Sequence, residues 1–222
     1  MADIVVIGSL NMDLVVRASR MPVAGETILG QDPQMIPGGK GANQAAAASR
    51  LGGAVSMVGR VGVDAFGPTL IDNLARQGVK TSYIRRDGDA ATGTALIIVD
   101  HSGENSIVVS PGANGRVAPA DVDAAKPLLS RAKLLLLQLE VPLDAVDRAI
   151  ELAGRYPVRV ILNPAAALAL DRALLSSVDV LVPNETEASA LTGVPVTGSP
   201  SQDTLRAAQE AASVMGGWVF RP

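Results

Sequence analysis

The chain has 222 residues, no cysteine, one histidine, and a formal charge of −3 from 19 Lys+Arg against 22 Asp+Glu. That length serves one large domain with a proper core but not two full-sized ones. The lack of thiols excludes disulfides, thiolate metal sites and cysteine nucleophiles and suits a reducing cytoplasm. A single histidine excludes a multi-histidine metal centre, and with no block of basic residues to follow a phosphate backbone, nucleic acid is not expected as a partner.

The opening MADIVVIGSL carries an acid where a signal peptide needs basic residues, so it reads as a strand over 4–8. Helical patterns over 42–51, 65–77, 143–154 and 184–191 then alternate with apolar runs of strand length at 55–61, 133–139, 158–162 and 178–182. No run reaches the roughly 20 apolar residues of a membrane-spanning helix, because LLLLQLEVPL is interrupted by Gln138, Glu140 and Pro142. Short continuous apolar strands separated by helices predict a three-layer α/β/α sandwich around a mainly parallel central sheet. Two intervals, 14–37 and 83–110, hold alternating segments with no helical period and predict a small antiparallel β-sheet lid. His101 falls in the turn Asp100–Gly103 and reads as a solvated loop residue. A lid at the carboxyl ends of parallel strands is where α/β proteins bind ligands.

The stretch PGGKGANQA, residues 37–45, invites a phosphate reading, but two motifs fail on it. A Walker A loop would need Gly at Gln34 and Ser or Thr at Gly41, and a dinucleotide fingerprint would need its third glycine at Gln44. The glycines could instead serve only a tight entry into the following helix. Their company argues for more. Asn11 and Asp13 follow the first strand, Asn43 lies in the first helical turn, Lys40 puts a cation at a positive helix end, and Glu140 ends the strand 133–139. Amides, carboxylates and an ammonium at one sheet edge suit a ligand made of hydroxyls. Each residue also has a plainer reading: Asn11 and Asp13 as turn formers, Lys40 as a surface lysine, Glu140 as a helix-start acid.

With GSLNMD at 8–13, PGGKGANQA at 37–45, SPGAN at 110–114, LQLE at 137–140, NPA at 163–165 and PNETE at 183–187, the sequence resembles the phosphofructokinase B family of sugar kinases from residue 4 to about 212. The resemblance implies transfer of the ATP γ-phosphoryl group to the 5-hydroxyl of D-ribose, with Mg²⁺ and an activating K⁺. It implies that Asn11, Asp13, Gly39, Lys40, Asn43 and Glu140 grip the sugar hydroxyls, that the lid closes over them, and that two copies can pair through their lids. It further implies that Asn184 and Glu187 organise the nucleotide phosphates, Glu187 reaching Mg²⁺ through water. Read from the residues alone, Asn184 and Glu187 form a helix-capping box. Kinases of fructose or adenosine, and a non-catalytic sugar-binding module, are the alternatives.

One part of the family pattern is missing. The Gly-Ala-Gly-Asp type motif that carries the base and the anion hole in that family does not occur in this sequence. After a helix predicted over 201–214, started by Ser199-Pro200, the reading is one incomplete domain, 1–222, with an atypical tail over 215–222 from truncation or an altered frame. Trp218 and Phe220 lie in that tail, in a chain with one Trp, two Tyr and two Phe. A parallel sheet lacking its last strands would expose an edge and favour self-association.

Overall fold

The computed structural model describes residues 4–165, 170–196 and 202–219. Six strands form an all-parallel sheet: β1 (Ile4–Ile7), β4 (Val55–Gly62), β5 (Lys80–Asp87), β8 (Leu134–Gln138), β9 (Arg159–Asn163) and β10 (Val180–Leu181), in the order β10-β9-β8-β1-β4-β5. Side chains alternate between its two faces, and both faces are buried. Val5, Ile7, Leu135 and Leu137 enter one core with Val122, Leu129, Val146 and Ile150, while Val6, Met57 and Val61 enter a second with Ala42, Ala45, Leu70 and Leu74. Each fully buried Leu or Val contributes about 1.5–3 kcal/mol. The flanking helices are α1 (Lys40–Arg50) and α2 (Phe66–Arg76) on one side, and α3 (Pro119–Ala124), α4 (Lys126–Leu129), α5 (Leu143–Ala153) and α6 (Arg172–Leu175) on the other. This is the three-layer sandwich that the alternation of strands and helices requires.

A second sheet, of four strands in the order β3-β2-β6-β7, comprises β2 (Asn11–Arg17), β3 (Gln34–Gly38), β6 (Gly93–Val99) and β7 (Asn105–Ser110). It is antiparallel at both outer pairings and parallel at β2–β6. Those two strands are joined not by a hairpin but by a long excursion through the main sheet, which permits the parallel pairing. The boundaries also differ from the intervals 14–37 and 83–110. β2 starts at Asn11, and the polar segment KTSYIRRD (β5) is the edge strand of the main sheet, with Lys80, Arg85 and Arg86 exposed and Asp87 buried.

Beyond β10 come α7 (Glu185–Thr192) and α8 (Gln202–Val219), packed through Ala188, Val196, Ala211 and Met215. The sequence pattern ends this last helix at 214, yet it runs through Met215 and Gly216 to Val219. Internal glycines cost about 1 kcal/mol each in a helix, and the packing of Met215 offsets this. Ser199, Pro200 and Phe220 lie outside the described residues.

Candidate active site

In the strand order, chain progression reverses between β1 and β8: β4 and β5 continue to one side, β8, β9 and β10 to the other. Parallel sheets open a crevice at the carboxyl ends of such a pair, and the residues singled out in the sequence converge on it. Helix α1 begins at Lys40 after Gly39 and has no capping side chain of its own. Its cap comes from across the crevice. Glu140 Oε2, just past β8, accepts the Lys40 backbone N–H at 3.1 Å and the Ser9 hydroxyl at 2.5 Å, and Ser9 Oγ accepts the Gly41 N–H at 3.2 Å. A carboxylate therefore sits at the positive end of α1 and satisfies donors that helix geometry leaves orphaned. Lys40 itself is exposed, and the Glu140 charge relieves the cost of an ammonium at that end.

The glycines are explained by close approach. A Cβ on Gly41 would lie 2.6 Å from Ser9 N, and one on Gly39, at φ 91°, would lie 2.7 Å from Asn11 N. At Gly38 the obstacle is a functional group, because Asp13 Oδ2 would be 2.3 Å away. Asp13 thus lies over the glycine loop, half-buried. Burial first, and the nearby Glu140 charge second, push its carboxyl above the ordinary aspartate range. Asn11 is buried beside it, 4% exposed. Asn43 is exposed in the first turn of α1, where it borders a cavity of about 320 Å³ lined by Gly38, Asn73 and Gln77 but by none of Asn11, Asp13, Lys40 or Glu140. The structure therefore gathers Asn11, Asp13, Gly39, the Lys40 backbone and Glu140, with Asn43 exposed one turn into α1.

Asn184 and Glu187 occupy the same carboxyl edge, past β10. Three strand spacings of about 4.8 Å separate β10 from β1, so the two strands stand roughly 14 Å apart across the sheet. They form a reciprocal capping box: Asn184 Oδ1 accepts the Glu187 N–H at 2.7 Å, and Glu187 Oε2 accepts the Asn184 N–H at 2.9 Å. Between the two ends, Asn163 Nδ2 donates to Val182 O at 2.7 Å. Among the described residues no group of three or more His, Cys, Asp or Glu is placed to hold a metal.

Several polar residues at this edge carry no role in the sequence reading. Arg60 is buried and bridges Asp121 at 2.7 Å and Asp87 at 3.0 Å, tying the ends of β4 and β5 to α3. Asp64 accepts the Phe66 and Gly67 N–H groups at the start of α2 and both the N–H and hydroxyl of Thr92 at the root of β6. Burial works against its charge, but those hydrogen bonds hold its carboxyl below the ordinary range. Gln138 is fully buried at the end of β8 and donates to Gln44 Oε1 on α1 at 2.6 Å. Away from this edge, in the turn between β6 and β7, His101 is exposed, as read from the sequence, and its ring nitrogen meets Ser19 O at 2.7 Å. The spacing Asp64-x-x-Gly67 is a local signal for a cap; the other contacts are long-range and leave no local pattern.

A crevice holding Asp13 and Glu140 at the switch point of a three-layer sandwich, beside a small second sheet, is the architecture to set against known proteins. Residues 1–219 match the family described as pfkB family carbohydrate kinase, and the chain belongs to that family. Among characterised proteins it is similar to ribokinase of Schizosaccharomyces pombe, 45% identical over 86% of this chain, and to deoxyribokinase of Salmonella typhi, 42% identical over 93%. The chain spans about two thirds of the length of these relatives, 62% and 67% respectively. Its fold matches the structure of Arabidopsis thaliana ribokinase complexed with ribose and ATP at a TM-score of 0.81 and 34% identity, over 96% of this chain and 70% of that one.

Proposed function

We propose that the chain provides the sugar-gripping part of an ATP-dependent kinase that phosphorylates the 5-hydroxyl of D-ribose. The observation that carries this reading is the crevice between β1 and β8, where Asn11, Asp13 and Glu140 meet the glycine-framed start of α1. Carboxylates there accept from hydroxyls while amide and backbone N–H groups donate to them, the pattern a polyol needs. The ribokinase relatives support ribose; the deoxyribokinase relative makes 2-deoxyribose the competing substrate.

ATP would lie along the edge toward Asn184 and Glu187, the end of the row away from the sugar. Mg²⁺, when bound, neutralises charge on the transferring phosphates. Glu187 is 6% exposed and already accepts one N–H, so its contact with that ion would run through water. Asp13 would orient the sugar as an acceptor, and the lid sheet that carries it would exclude water from the crevice. We assign none of the described residues the role of base. The lid sheet carries Met35, Ile36, Leu96, Ile107, Val108 and Val109 with 44–67% of their surface exposed, which supports pairing of two copies through their lids. The absence of cysteine supports a cytoplasmic setting.

Calorimetric titration of D-ribose and 2-deoxyribose tests the reading. Ribose should bind the wild type and fail to bind Asp13→Ala; a folded wild type that takes up neither sugar would overturn it. Ribose-dependent ADP release with ATP, Mg²⁺ and K⁺ then tests the transfer itself.

A further inference from the structure

Asn114 belongs to the SPGAN motif and has no part in the proposed function, yet it is 1% exposed, fully engaged, and in contact with the crevice through Asn11. It sits in the 3₁₀ turn Gly112–Arg116, where β7 returns to the main domain. Its Oδ1 accepts the Leu10 N–H at 2.9 Å, and its Nδ2 donates to Leu10 O at 3.0 Å and to Asn11 Oδ1 at 2.7 Å.

The order of those bonds is dictated from the backbone outward. A backbone N–H can only donate, so the Asn114 atom facing it is the carbonyl oxygen, and the other end of that amide is the NH₂ group. The NH₂ group can only donate, so the Asn11 atom facing it is Oδ1. Asn11 Nδ2 is thereby turned away from Asn114. It makes no hydrogen bond among the described residues and is not one of the sealed, partnerless polar atoms, which are Ser56 Oγ, Gln77 Oε1 and Gln138 Oε1.

We infer that Asn114 is a positioning residue that fixes the sense of the Asn11 amide, so that Asn11 presents NH₂ donors, never its carbonyl, to the ligand. The inference rests on the sugar reading of the crevice and deepens it. Donors from Asn11 next to the acceptor carboxylate of Asp13 select a ligand group that accepts and donates at once, a hydroxyl, over an ammonium, which cannot accept. The same pair also meets the lid. A Cβ on Gly93, the first residue of β6, would lie 2.1 Å from Asn114 Nδ2 and 2.3 Å from Asn11 Oδ1, and the neighbouring Ala113 N–H donates to Ala91 O at 2.8 Å. Both roots of the second half of the lid therefore bear on the residue that orients Asn11.

The test reads side-chain amide protons by ¹⁵N NMR in the full chain, free and with D-ribose, in wild type and Asn114→Asp. In the free wild type, Asn114 Nδ2 protons should exchange with water at least about tenfold more slowly than those of Asn11. Equal or inverted protection overturns the inference without any variant having to fold. In Asn114→Asp the new carboxylate accepts where an amide had donated, so Asn11 should turn over and its Nδ2 protons become protected. Ribose affinity should fall at least about tenfold as the crevice loses its donor. A folded Asn114→Asp chain with unprotected Asn11 protons and wild-type ribose affinity would overturn the inference. A wild type that binds no ribose would remove the sugar reading, and the proton protection would still decide the role of Asn114.

Discussion

Helix α7 caps itself, Asn184 and Glu187 exchanging hydrogen bonds three residues apart, whereas α1 has no capping side chain and uses Glu140 from 100 residues away. The first arrangement makes a helix start that is independent of its surroundings. The second makes a helix start whose stability depends on the crevice being assembled, and it places a carboxylate, a hydroxyl and backbone N–H groups around one point. A cap drawn from a distant strand builds a site as a by-product of finishing a helix.

Substitutions should separate the two starts. Gly41→Ala forces a Cβ against Ser9 N and the Gly8 carbonyl carbon, both backbone, so α1 must lift from β1. A loss of about 3 kcal/mol in denaturant unfolding is expected, despite the better helix propensity of alanine. Wild-type stability in this variant would mean that α1 does not need close approach. Glu140→Ala strands the Ser9 hydroxyl and the Lys40 N–H. Its expected cost is about 2 kcal/mol, accompanied by loss of ribose binding; retained binding would separate the cap from the site. Asn184→Ala should cost about 1 kcal/mol and leave ribose affinity unchanged, since the side chain's hydrogen-bond partner among the described residues is Glu187. A change in ribose affinity there would show that the two starts are coupled.

The smallest effect has the opposite sign. Burial and Glu140 raise the Asp13 carboxyl, so ionising it costs folding free energy. That group's contribution is fully present below its unfolded pKa, about 3.9, and is lost as pH rises through the higher folded value. Asp13→Asn should therefore be more stable than wild type at pH 7, with the gap closing toward pH 4. A gap that widens on acidification would contradict the assigned surroundings of Asp13.

The difference between the helix starts also explains what the sequence makes legible. Asn184 and Glu187 are readable as a capping box because the pattern is local, and the parallel core is readable because strands such as LLLLQ are apolar on both faces. Asn11, Asp13, Lys40 and Glu140 can be picked out by residue type, but nothing local says that Glu140 caps α1 and not the helix that follows it. β5 escapes assignment to the main sheet because an edge strand tolerates Lys80, Arg85 and Arg86, which erase the apolar run. Asn114 stands in a visible motif, but its task depends on Leu10 and Asn11, more than 100 positions earlier. The Arg60 cluster is hidden for the same reason: Asp87 and Asp121 lie 27 and 61 residues from it.

The span between Lys40 and Glu140 also sets a timetable during synthesis. At about 5–20 residues per second, the amide groups at the start of α1 wait about 5 to 20 s for their carboxylate to be made. Ser9 waits longer, its partner lying 131 residues on. Closing such long loops is entropically costly and slows folding, so the crevice should set well after α1 itself has been made.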